Sequence, residues 1–259
     1  MTARDRPRIE VIGHGGAGDF FPGNSRESIE QALKIGVDRI EIDVQRSADG
    51  DLVLVHDKAS TIHGRKIPAD EITTSQFRRM LPGLLTLDEL VEINSANVPL
   101  LLDVKLPGYE AEIIAAIRQH RLADTVAASS THGVVLRRLK RAFPEMRLGL
   151  STGHMATGIA ARPARAVMTN LLRLVTPPPL VSAMRVFGAS ETMIQHRVCT
   201  DRLVRAVHDS GRRVNVWTVD RPEQMRRFIA MGVDGIISNR PDLVREAREE
   251  SRTVTRHPD

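Results

Sequence analysis

"RIEIDVQRSADGDLVLVHD" spans residues 39–57, and its reading decides how many strands the main sheet holds. "RIEIDV" (39–44) alternates, with Ile40, Ile42 and Val44 on one face and Glu41 and Asp43 on the other. "LVLVHD" (52–57) is a second strand-like run, and the Asp49-Gly50 pair between the two is a strong hairpin signal. If the first run continues through Arg46 and the chain turns at 49–50, the second returns antiparallel to it. That register sets Asp43 opposite His56, and directly opposed residues point to the same face. The second run is then an ear on a connection, outside the main sheet.

Along the rest of the chain, short β-rich runs alternate with amphipathic helical stretches, the pattern of a parallel α/β fold. The candidate strands are "IEVIGH" (9–14), "RIEIDV" (39–44), "PLLLDV" (99–104), "TVAASS" (125–130), "RLGLST" (147–152), "MRVFGAS" (184–190), "RVNVWT" (213–218) and "GIISN" (235–239). These are eight, the number that closes a (β/α)8 TIM barrel, and 259 residues suit one. The expectation is an α/β chain forming a single domain over 1–259, with the barrel over 8–247, a β-hairpin ear after strand 2, and fraying termini. "ARAVMTNLLRLV" (164–175) places its apolar residues on one helical face and reads as a barrel-packing helix, with Pro177–Pro179 as the stop signal after it.

The net charge of +5 favours anionic partners such as phosphate compounds. One Trp and one Tyr provide no stacking platform for single-stranded nucleic acid, so nucleic acid is not an expected partner. Cys199 is the single cysteine, which excludes an internal disulfide and a cysteine-based metal site. "MTARDRPRIE" has no apolar signal core, and no run is long enough to span a bilayer. We therefore expect a cytoplasmic protein without stable membrane insertion; the oligomeric state stays open.

Functional groups of a barrel sit at the C-terminal ends of its strands. There Glu41 and Asp43 share the inward face of strand 2, Asp103 and Lys105 share a face in "PLLLDVK", Asn215 and Trp217 share one in "RVNVWT", and His14 ends strand 1. Three carboxylates converging in a partly dry mouth must be protonated or neutralised. A divalent cation meets that need, and oxygen ligands suit Mg2+ or Ca2+ better than zinc. The competing reading is structural salt bridging of Glu41 and Asp43 to Lys105 and nearby arginines. His14 and His56 flank the cluster, as acid–base catalysis requires. "GHGGAG" (13–18) lacks both a following Lys-Ser/Thr and the dinucleotide spacing, which disfavours a nucleotide cradle. His196, in "IQHR" after strand 6, is placed to reach the mouth. His63, His120, His132, His154, His208 and His257 read as surface or packing residues, and Cys199 as inert.

These residues resemble the motifs of the glycerophosphodiester phosphodiesterases. That family carries H-R-G at the first strand, P-E-N-T after it, E-L-D-V at the second strand, then H-D, E-x-K, V-x-V-W-T-V-N and G-V-D-G-I-I-T-D-x-P. This chain has "HGG" (14–16), "PGNS" (22–25), "EIDV" (41–44), "HD" (56–57), "LLLDVK" (100–105), "VNVWTVD" (214–220) and "GVDGIISNRP" (232–241), in the same order. The resemblance implies a barrel phosphodiesterase with a divalent metal held by Glu41, Asp43 and Asp103. It implies His14 and His56 as the acid–base pair, Lys105 against the phosphate, and Trp217 lining the substrate pocket. Asn24, Gly15 and His196 complete the expected substrate-binding set. The departures are Gly15 for the family arginine, which removes a planar phosphate donor, Gly23 for its glutamate, and Asp103 for a glutamate one methylene longer.

The implied reaction is metal-dependent cleavage of a small-molecule glycerophosphodiester to sn-glycerol 3-phosphate and an alcohol, a step of lipid and glycerol metabolism. The alternatives are a phospholipase D-like lyase that turns lysolipids into a cyclic phosphate, and a catalytically degenerate anion-binding barrel. The hairpin register makes His56 the expected proton donor to the leaving alcohol and His14 the base.

Overall fold

The computed structural model describes residues 8–62, 64–152, 169 and 176–256. Eight parallel strands close a barrel: β1 (Glu10–His14), β2 (Arg39–Arg46), β6 (Leu100–Val104), β7 (Val126–Ser130), β8 (Leu148–Thr152), β9 (Glu191–Gln195), β10 (Arg213–Trp217) and β11 (Gly235–Ser238). They are ordered β1-β11-β10-β9-β8-β7-β6-β2, and pairing of β1 with β2 completes the ring. The helices are α1 (Arg26–Ile35), α2 (Thr74–Met80), α3 (Leu87–Ile93), α4 (Glu110–Gln119), α5 (Gly133–Ala142), α6 (Pro177–Phe187), α7 (Asp201–Asp209), α8 (Pro222–Met231) and α9 (Pro241–Arg256). No helix among the described residues is long and apolar enough to cross a membrane.

The strand alternation sorts the side chains as the sequence predicts. Ile40, Ile42 and Val44 join the outer core beneath the helices, together with Val11, Leu100, Leu102 and Val104. Ile12, Leu101, Ala127, Met193 and Ile237 form a separate apolar layer inside the barrel, with Trp217 packed on it. Below that layer lies a charged floor of Glu10, Arg39, Arg147, Glu191, Arg213 and Asn215. The metal-ligand candidates lie above it, so the apolar layer separates two polar ends.

The ear is present but shorter than predicted. β3 (Leu52–Val53) pairs antiparallel with β2, Gln45 opposite Val53 and Arg46 opposite Leu52. Continued along the strands, this register brings Val55, not His56, across from Asp43. The chain leaves the ladder after Val53 because Leu54 N bonds Leu85 O instead. A second hairpin comes next, β4 (Ala59–Ile62) with β5 (Arg65–Pro68).

The sixth barrel strand is also displaced. Residues 184–187 end α6, whose buried face is Pro177, Leu180 and Met184. Gly188 closes that helix in the left-handed region at φ 69°, a conformation glycine adopts without a Cβ penalty. The strand is "ETMIQ" (191–195), buried throughout. Its Glu, Thr and Gln masked it, because a strand whose inward residues meet polar partners lacks the usual hydrophobic signature. Pro177 opens α6 at its first turn, where its missing N–H costs no hydrogen bond. The predicted helix 164–175 lies outside the described residues, apart from Thr169, as do His63, His154 and His257.

Candidate active site

Glu41 and Asp43 project inward from the middle of β2, and Asp103 from near the end of β6, where it stands beside Asp43 in the ladder. One carboxylate oxygen from each lies within 4.8 Å of the others. Neighbouring groups fix each acid. Gly15 N donates to Glu41 Oε2 at 3.1 Å. Asn24 clamps Asp43 twice, Nδ2 to Oδ2 at 2.8 Å and Oδ1 from the Asp43 N–H at 3.0 Å. Ser129 Oγ donates to Asp103 Oδ1 at 2.8 Å. Lys105 pairs with Asp43 Oδ1 and, at 2.5 Å, with Asp103 Oδ2.

The electrostatics follow from three acids sharing one ammonium. Burial, reinforced by Asp43 and Asp103, pushes the Glu41 carboxyl well above the usual carboxylate range despite Lys105 and the Gly15 N–H. Burial also acts to raise Asp43, but the Lys105 ammonium, with His14 and Asn24, outweighs it and holds Asp43 low. Burial works against the Lys105 charge, and Asp103, Asp43 and Glu41 reverse that, raising its pKa. A set of hard oxygen donors with this charge deficit fits a divalent cation. Asp43 Oδ1 fits as well: it is buried beside Lys105 and has no hydrogen bond of proper geometry among the described residues.

His14 ends β1 half-buried, and its Nδ1 lies 2.7 Å from Asn239 Oδ1. Burial, and then the Arg197 charge, lower the pKa of half-buried His196, whose backbone N–H donates to Trp217 O at 2.7 Å. Trp217 Nε1 donates to Met193 O at 3.0 Å. His56 is exposed, and its partner is Asp57, Nδ1 to Oδ1 at 2.9 Å, which corrects the predicted pairing with Asp43. Gln45 Nε2 donates to Val55 O at 3.0 Å and Asp57 O at 2.6 Å, so β2 grips the chain on both sides of His56. Asn24, expected to bind substrate, spends its amide on Asp43. Lys105, expected against the phosphate, meets the acids. Burial pushes the Cys199 thiol up to about 12, which agrees with an inert role. His120 and His208 pair with Asp88 and Asp234.

Gly15 has φ +53°, and a Cβ there would come within 3.0 Å of Asn24 N and of Gly23 Cα. The glycine in place of the family arginine thus has a backbone reason. Ser129, Gln45, Asp220 and Asn239 are site residues that the sequence reading missed. The last two left a signal in the motifs: the family reads V-N and T-D where this chain reads Val219-Asp220 and Ser238-Asn239, an exchange of acid and amide.

Residues 14–243 match the glycerophosphoryl diester phosphodiesterase family. A glycerophosphodiester phosphodiesterase of Caldanaerobacter subterraneus is 28% identical over 253 residues, covering 90% of this chain and 95% of that protein. A probable glycerophosphodiester phosphodiesterase 2 of Mycobacterium tuberculosis is 27% identical, covering 95% and 96%. Among solved structures, a phosphodiesterase of Oleispira antarctica in complex with the product sn-glycerol-3-phosphate aligns with TM-score 0.75 at 20% identity, covering 94% of this chain and 97% of that one. The match runs from the histidine that ends β1 into the first turn of α9, so the chain belongs to the glycerophosphoryl diester phosphodiesterase family and is a phosphodiesterase of that family.

Proposed function

We propose that this protein cleaves glycerophosphodiesters to sn-glycerol 3-phosphate and an alcohol, with a divalent cation, Mg2+ or Ca2+, held by Glu41, Asp43 and Asp103. The observation that carries this reading is the convergence of those three acids within 4.8 Å at the barrel mouth, beside His14. The product bound by the Oleispira relative supports the substrate class. When bound, such a cation supplies Lewis-acid stabilisation of phosphoryl charge. Lys105, paired with Asp43 and Asp103, adds positive charge for the phosphate. His14 takes the proton of the attacking oxygen, and His56, oriented by Asp57, delivers one to the leaving alcohol. Trp217 and His196 line the same end of the barrel.

Phosphorus NMR of products from a panel of glycerophosphodiesters and lysolipids, with and without EDTA, tests the proposal. The expected result is sn-glycerol 3-phosphate formed only when Mg2+ or Ca2+ is supplied. A cyclic phosphate end product would assign the lyase chemistry instead. Turnover unaffected by chelation would remove the metal.

A further inference from the structure

We propose that Asp220 and Asn239 together fix the neutral His14 ring as its Nδ1–H tautomer, leaving Nε2 as the nitrogen that carries a lone pair. Asp220 is thereby a positioning residue for proton transfer by His14; the kinetic part of this inference rests on the function proposed above.

Asp220 lies beyond the end of β10. An ionised carboxylate only accepts hydrogen bonds. Its Oδ1 accepts from Ser238 Oγ at 3.0 Å and from the Asn239 N–H at 2.8 Å, which pins the group against the end of β11. Its Oδ2 lies 3.0 Å from the Asn239 side chain. The amide must therefore turn its NH2 toward Asp220 and its oxygen the other way. That oxygen is the atom 2.7 Å from His14 Nδ1. It has no proton to give, so Nδ1 must be the donor, and a neutral imidazole has one N–H. The Asn239 backbone is anchored as well, because Asp19 N donates to its carbonyl oxygen at 3.2 Å, and the side chain has Gly18 close by, where an added Cβ would come within 2.6 Å of Asn239 Oδ1.

This arrangement gives His14 the proton acceptor it needs without placing another carboxylate directly against the ring. The mouth already holds three acids against one lysine, and a fourth charge in contact with His14 would deepen that imbalance. The amide selects the tautomer and the more distant Asp220 orients the amide. In other sites that use a histidine base, loss of the correct tautomer is costly.

The test is long-range proton–nitrogen NMR of the full chain labelled with 15N-histidine, the His14 signals being identified by their loss in His14→Gln. In the unchanged protein the neutral form of His14 should carry its proton on Nδ1. Asp220→Asn lets the Asn239 amide rotate and should mix the tautomers. Asp220→Asn combined with Asn239→Asp restores one acid and one amide to the pair and should return the single form. On a glycerophosphodiester, Asp220→Asn should lower kcat by about 10–100-fold with KM little changed, short of the full contribution of a positioned proton-transfer group. The double variant should recover most of that loss, a rescue that a merely structural Asp220 would not allow. An Nε2–H tautomer in the unchanged protein, or a double variant as slow as Asp220→Asn, overturns the proposal. An unchanged protein without diesterase activity in Mg2+ or Ca2+ would overturn the proposed function instead, and the ring spectra would still decide the tautomer.

Discussion

Glu191 and Glu41 are both buried carboxylates facing the barrel axis, yet they shift in opposite directions. At the floor, Glu191 is desolvated, but Arg39 and Arg147 overcome the cost and hold it below the usual range. Its Oε1 meets Arg39 at 2.9 Å and its Oε2 meets Arg147 at 3.0 Å and Asn215 at 2.8 Å. Glu10 completes the floor by pairing with Arg39, Arg147 and Arg213. At the mouth, Glu41 is desolvated beside two further acids, with one lysine among the three. The floor pairs both of its carboxylates with arginines of the chain itself. The mouth is left short of positive charge, and buried charge is not tolerated unpaired. The difference separates acids neutralised by arginines from acids that outnumber the one cation beside them.

The largest effects should divide along that line. Asp43→Asn should take diesterase activity to background and abolish tight divalent binding by calorimetry, while the circular dichroism spectrum and melting temperature stay close to those of the unchanged protein. Amide substitution keeps the shape and removes charge from an acid-rich cluster. Glu191→Ala leaves the Arg39 guanidinium buried without one of its partners and should cost about 3–5 kcal/mol of stability in denaturant melts. What remains folded should still bind metal. If Asp43→Asn unfolds the protein, or Glu191→Ala removes metal binding without loss of stability, the two ends do not differ in kind.

The histidines sharpen the picture at the mouth. His56→Ala should slow cleavage of an alkyl diester by about 10^2–10^4-fold, the worth of a positioned proton-transfer group, yet largely spare a p-nitrophenyl diester, whose leaving group needs no acid. His14→Ala should damage both. The reverse pattern would exchange the two roles, and equal sensitivity to both substrates would end the acid–base assignment.

Stability should respond to pH with opposite signs at the two ends. Glu191 has a lowered folded pKa, so the unfolded chain binds its proton more readily. Its contribution is present above the ordinary glutamate value of about 4.3 and is lost as pH falls through the lower folded value. Glu41 has a raised folded pKa, so the folded protein binds that proton more readily. In chelator, stability should therefore decline as pH rises from about 4.3 through the raised value. Glu41→Gln should flatten this decline, and added Mg2+ or Ca2+ should oppose it. Melting curves carried from below the lowered Glu191 value upward, run in chelator, measure both slopes, and a Glu41→Gln profile that overlays the unchanged one would erase the contrast.

The mouth was far more legible in the sequence than the floor. Strand alternation put Glu41, Asp43 and Asp103 inward, and the ends of parallel strands converge by topology. The floor depends on Glu10, Arg39, Arg147, Glu191 and Arg213, which are scattered along the chain. Singly, each reads as a solvated charge, because burial emerges only once the barrel closes. The same polarity hid β9. The ear register slipped by one because the turn centres on Asp49 rather than between Asp49 and Gly50: Ser47 N bonds Asp51 O, which sets Gln45 opposite Val53, and the bond from Leu54 N to Leu85 O then ends the pairing early. Asn239 and Asp220 went unread because their meaning lies in a contact between two loops.

The smallest effects test how each end is built. The floor is held by side chains, whereas the mouth depends partly on backbone that only glycine adopts without strain. Gly15 lies in the left-handed region, presents its N–H to Glu41 Oε2, and accepts at its oxygen from Asn24 N at 2.9 Å. A Cβ at Gly15 would press on Asn24 N and Gly23 Cα at 3.0 Å, and Asn24 is the residue that clamps Asp43. Gly15→Ala should therefore cost about 1–3 kcal/mol through strain and weaken metal binding as well, because the displacement passes through Asn24 to a ligand. Gly15→Arg carries the same backbone penalty, so adding the family guanidinium alone should not improve KM. Gly23 has no positive φ, and its Cβ would meet nothing closer than Gly15 Cα at 3.8 Å. Gly23→Ala should accordingly stay within about 0.5 kcal/mol of the unchanged protein and bind metal normally. Calorimetric metal titration and denaturant melts of the two alanine variants measure the difference. Equal behaviour of the pair would mean that the Gly15 backbone does not hold the ligand set.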